Sequence, residues 1–99
     1  MKEIEDVVSA GDLLPTIASV AKANGPFSLM VAWSKGSREG RTDVIDVAPQ
    51  VFTYKVYRPL RDDDDLFSQV SVSDDRTADV WPGNADLEIS ADALEELAE

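Results

Sequence analysis

Ninety-nine residues with 43% hydrophobic side chains support one small domain around one core, and no apolar run approaches the roughly 20 residues of a membrane span. There is no cysteine and no histidine, which excludes disulfides, thiolate metal sites, Ser-His and Cys-His nucleophile systems and nearly all zinc sites. Nine basic residues against 20 acidic ones leave a net charge of −11, and residues 50–99 hold 13 of the acids and 4 of the bases, a net of −9.

The opening Lys2-Glu3-Ile4-Glu5-Asp6 lacks the basic-then-apolar pattern of a signal peptide, so a cytoplasmic protein is expected. Ile4, Val7 and Val8 stand at helical spacing with Gly11 placed to end a short helix, which makes residues 1–13 a possible N-terminal helix or arm. Between Leu14 and Ala23 two readings compete: Leu14, Ile17 and Ala21 fit a helix face, while Ile17 to Lys22 fits a strand. Asn24-Gly25 signals a hairpin, loosened by Pro26, which cannot donate the bond that closes a two-residue turn. Phe27, Leu29, Val31 and Trp33 then alternate with Ser28, Met30, Ala32 and Ser34, the pattern of a strand with one face on a core. Lys35-Gly36-Ser37 reverses the chain into a third strand, about Arg41 to Asp46.

Pro49 suits the first turn of a helix from about Ala48 to Val56, although residues 52–57 are rich in β-branched and aromatic side chains. Pro59 is expected to end that helix, with Arg58 and Arg61 neutralising the neighbouring aspartates. Asp62-Asp63-Asp64-Asp65 reads as a solvated turn before Leu66-Phe67 returns to the core. Val70 and Val72 alternate with polar residues, and Asp74-Asp75-Arg76-Thr77 turns the chain into a strand over Ala78 to Trp81. Pro82 blocks further pairing and Gly83-Asn84 leads toward a last helix. Ser90 is placed as its N-cap, with Ile89 and Leu94 in the two positions of a hydrophobic staple. Trp33 and Trp81 are expected in the core or at its edge.

Pro59-Leu60-Arg61-Asp62, Leu66-Phe67-Ser68-Gln69-Val70, Val80-Trp81-Pro82 and Ala85-Asp86-Leu87, taken in this order from about Ile17 onward, resemble the bacterial domain of unknown function 2442 family. The resemblance covers roughly four fifths of the chain and is to the stand-alone form, without the helix-turn-helix domain fused to some members. It favours a strand over Ile17 to Lys22 and a helix after Pro49. The expectation is one domain over residues 1–99 of α+β class: a small antiparallel β-sheet of about five short strands, with two or three helices packed on one face.

No Gly-Lys-Thr follows the glycines at 36 and 40, and the aspartate run lacks the alternate spacing of a calcium loop. The chain is therefore expected to be no enzyme and to take no cofactor or metal. Counterion release opposes direct binding of DNA or RNA, whereas a basic protein is attracted. The first expectation is a protein-binding inhibitor whose partner-binding residues are Asp62, Asp63, Asp64, Asp65, Asp74, Asp75, Asp79, Glu95 and Glu96. They would imitate a phosphate array and occupy a basic partner such as a nuclease or toxin, as an antitoxin or a phage anti-CRISPR protein does. The resemblance also implies pairing with another small protein in suspected toxin-antitoxin systems. The alternative is a regulatory or dimerisation domain of a transcriptional regulator without its helix-turn-helix part, and a homodimer belongs with it.

Overall fold

The computed structural model describes residues 14–98; the possible helix or arm at residues 1–13 lies outside them. The class is α+β with antiparallel strands, but six strands divide between two sheets of three where one sheet of about five was expected.

The first sheet is a meander of β1 (Thr16–Lys22), β2 (Ser28–Lys35) and β3 (Thr42–Asp46). Alternation along β2 works as the sequence indicates: Leu29, Val31 and Trp33 are buried, while Met30 faces out. In β1 the alternation breaks. Ile17 pairs with Trp33 and Ser19 with Ala32, so Ala18 is an extra residue and the inward side chains become Ile17 and Val20, three apart. The bulge explains why this stretch also reads as a helix face. Gly36 turns β2 into β3 at φ +105°, and a Cβ there would lie 2.9 Å from the Pro15 backbone, so only glycine fits.

After β3 the chain makes three short helices where one was expected. Helix α1 (Ala48–Thr53) begins with Pro49 in its first turn and with the Ala48 amide donating to Asp46 Oδ1. It stops at Tyr54, whose extended backbone suits a ring-bearing residue better than another helical turn does. A 3₁₀ turn (Lys55–Tyr57) leads into α2 (Arg58–Arg61), so Pro59 opens a helix and does not end one. Helix α3 (Asp64–Ser68) follows at once.

The second sheet holds β4 (Ser71–Val72), β5 (Ala78–Val80) and β6 (Glu88–Ser90), with β5 in the centre. Strand β6 was not foreseen, because Ile89 has a single buried position with polar neighbours and reads equally as a staple before a helix. It serves both roles. Ser90 ends the strand and accepts a bond from the Ala93 amide at the start of α4 (Ala91–Ala98), and Ile89 and Leu94 are both buried.

One core joins the pieces. The inner face of the first sheet meets Val51, Leu60 and Phe67 from the helices and Trp81, Leu87, Ile89 and Leu94 from the C-terminal part. Both tryptophans are buried; Trp81 Nε1 donates to the Phe67 carbonyl and Trp33 Nε1 to Asp43 Oδ2. Arg76 ties the sheets together. Its backbone sits at φ 64°, its carbonyl accepts from the Ile17 amide, and its guanidinium donates to the Ile17 and Ala18 carbonyls at the bulge. No helix among the described residues is long and apolar enough to cross a membrane.

Candidate functional site: carboxylates at two ends of the fold

The four consecutive aspartates are exposed, but they do not form a plain turn. Asp63 is the N-cap of α3, accepting from the Leu66 amide at 3.0 Å, and Asp64 and Asp65 lie in the first helical turn. Negative charge is favourable there, next to unpaired amides and the positive end of the helix. One carboxylate is thus spent on the fold and fixes the frame from which Asp62, Asp64 and Asp65 point to solvent.

Arg61 does not neutralise them. Its guanidinium donates to the Val51 and Tyr54 carbonyls and lies 5.4 Å from the centre of the Phe52 ring, closing the break between α1 and the 3₁₀ turn. Among the described residues the ion pairs are those of Asp43 with Arg38 and Arg41. Arg58 makes none with the aspartate run within that set.

Asp74 and Asp75 occupy the turn between β4 and β5. Asp74 is exposed, while Asp75 builds the turn, accepting from Thr77 Oγ1 at 2.7 Å, Ser73 Oγ at 2.8 Å and the Thr77 amide at 3.1 Å. The Thr77 hydroxyl, then Ser73, then the Thr77 amide hold its carboxyl below the ordinary value.

Asp79 must be withdrawn from the surface set. It is 0% exposed, and neither carboxylate oxygen has a hydrogen-bond partner among the described residues. Its ladder neighbours are Val72 and Ile89, so the carboxyl stands among apolar side chains, and burial raises its pKa to about 7. A signal was present in the sequence: in a strand, Asp79 has the same parity as Trp81, a residue already assigned to the core.

Glu95 is half-buried and accepts from Ser37 Oγ at 2.8 Å, which docks α4 beside the β2–β3 turn; Glu96 is exposed. The remaining candidates do not make one patch. Phe67 meets the Phe27 ring at 5.6 Å, placing α3 beside the start of β2 and the end of β1, whereas Arg76 places the Asp74 turn beside the start of β1. Some five strand residues separate the two groups, a span on the order of 15 Å. Asp62, Asp64 and Asp65 lie toward one end of the first sheet; Asp74 and α4, whose first amide bonds the Thr77 carbonyl, lie toward the other.

An open pocket of about 210 Å³ lies at the second end, lined by Leu14, Pro15, Thr77, Ser90, Ala91 and Asp92. It offers two hydroxyls and one carboxylate and is smaller than usual ligand pockets of about 300–1,000 Å³. Among the described residues no three acidic side chains converge to hold a metal ion. Compared with family models, curated proteins and solved structures, the chain has no match.

Proposed function

We propose that this chain is a non-enzymatic acidic binding module that occupies the cationic surface of a basic, nucleic-acid-binding protein such as a nuclease or toxin. The observation that carries this reading is the display of Asp62, Asp64 and Asp65: three exposed carboxylates on a helix start pinned by Asp63, with no ion pair to any described residue. Fixed anions without local counter-charges lose little freedom when a cationic partner closes over them, and they accelerate encounter. The anionic ends would stand in for phosphates, the mode of action of an antitoxin-like or anti-CRISPR-like inhibitor.

The test is affinity capture from the native host with the intact chain, followed by titration of the captured protein. A basic partner should bind, weaken steeply as ionic strength rises, be displaced by its own nucleic acid, and be lost to the Asp62→Asn, Asp64→Asn, Asp65→Asn triple variant. Capture that is indifferent to salt and to that triple change overturns electrostatic mimicry. Asp74→Asn alone reports whether the second end takes part.

A further inference from the structure

The chain has two asparagines, Asn24 and Asn84, and each carries a side-chain amide within reach of the backbone nitrogen that follows it. Both are exposed, so access to solvent does not separate them. Their surroundings do. Asn84 Oδ1 accepts from the Asp86 amide at 2.9 Å and its carbonyl accepts from the Leu87 amide at 3.0 Å, which fixes side chain and backbone together in the turn before β6. In the β1–β2 turn, by contrast, neither the Asn24 side chain nor the Gly25 amide makes a hydrogen bond among the described residues. Gly25 stands exposed at φ +106° and brings no side chain to obstruct its own nitrogen.

We propose that Asn24-Gly25 is a self-modifying site, where the free Gly25 amide attacks the unheld Asn24 side chain and deamidates it without an enzyme. The Gly25 nitrogen gives its proton to solvent base and forms a bond to Asn24 Cγ. The Cγ–Nδ2 bond then breaks, and the departing nitrogen takes a proton from water and leaves as ammonia. One water adds to either carbonyl of the cyclic imide and opens it, to an aspartate or to its isoaspartyl isomer. One water is consumed and one ammonia released; no oxidant or cofactor enters.

Lys22 ties this chemistry to the fold. Its Nζ donates to the Ala23 carbonyl and to the Gly25 carbonyl, each at 3.3 Å, which lays a cation across the segment that reacts. Attack places negative charge first on the Gly25 nitrogen and then on the Asn24 amide oxygen, and a positive charge fixed beside them lowers the cost of both.

The turn lies at the end of the first sheet where Phe27 meets Phe67 of α3, so the new carboxylate joins the side that displays Asp62, Asp64 and Asp65. Net charge moves one unit beyond −11. The effect of that charge on a basic partner rests on the function proposed above; the chemistry at Asn24 does not.

The test keeps the intact chain folded at mildly alkaline pH and follows ammonia release, anion-exchange retention and tandem mass spectra of the tryptic peptide over residues 23–35, with isoaspartyl methyltransferase as the probe for the isomerised product. Asn24 should convert at least about tenfold faster than Asn84, and faster as pH rises. Denaturant, which releases Asn84 from its turn, should narrow that gap. Lys22→Gln should slow Asn24 several-fold in the folded chain and not in denaturant, while Lys22→Arg keeps the rate. Asn24→Gln, at an exposed position, should fold as before and remove the rapid release of ammonia. Conversion of Asn84 ahead of Asn24 overturns the inference, as does ammonia release unchanged in Asn24→Gln. So does a folded rate at Asn24 far below that in denaturant, which would mean that the turn holds the side chain away from the amide. A Lys22→Gln rate equal to that of the parent overturns the part given to the cation.

Discussion

Among the described residues the first sheet buries one side and leaves the other open, whereas in the centre of the second sheet residues of both parities are covered. Along β2 every inward residue from Leu29 to Trp33 is apolar and the outward ones meet solvent. In β5 both Ala78 and Asp79 are buried, so a polar side chain placed there has nowhere to turn. The difference teaches where tension sits. A sheet with one free face accommodates any polar residue at the right parity; a three-residue strand between two others, covered on both sides, traps it.

The largest test of this contrast removes the ring on which the second sheet leans. Trp81→Ala takes away a 4% exposed indole and its bond to the Phe67 carbonyl, and should cost about 4 kcal/mol in chemical denaturation. Asp79→Asn acts in the opposite direction. In the folded chain the carboxyl keeps its proton up to about pH 7, while the unfolded carboxyl ionises near 3.8. The unfolded state therefore gains relative to the folded one as pH rises between those values, and the loss is complete above about 7. Unfolding free energies should show the Asn variant ahead by about 4 kcal/mol at pH 8, with the advantage shrinking toward pH 4. Smallest is Arg76→Ala, which unties the sheets at the bulge and should cost about 2 kcal/mol while leaving both ladders intact. A loss near that of Trp81→Ala would mean that neither sheet stands without the other.

Legibility followed periodicity. Strand β2, the turn at Gly36 and the Ser90 cap were readable because alternation, glycine and capping residues act locally. The same local rules misled where an inserted residue changed the phase, as at Ala18, or where a segment was too short to show a period, as at Glu88–Ser90. Pro59 reads as a stop because proline ends a helix, yet it also opens one, and only the extended Tyr54 upstream decides between them. At the candidate site, sequence located the exposed carboxylates but could not tell display from construction. Asp63 and Asp75 bond amides and hydroxyls of their own turns, and Asp79 is inside. Nor could it separate Asp62 to Asp65 from Asp74, because the distance between them is set by β1, some 40 to 60 residues earlier.

The bond from Arg76 to Ile17 spans 59 positions, and it has a consequence for synthesis on the ribosome. The meander of β1, β2 and β3 can form once residue 46 has emerged, but the outer rim of β1 remains without its clasp until residue 76 follows. During that interval the nascent chain offers an open strand to neighbours, so crowded translation at high expression is when this protein is most exposed to misassembly.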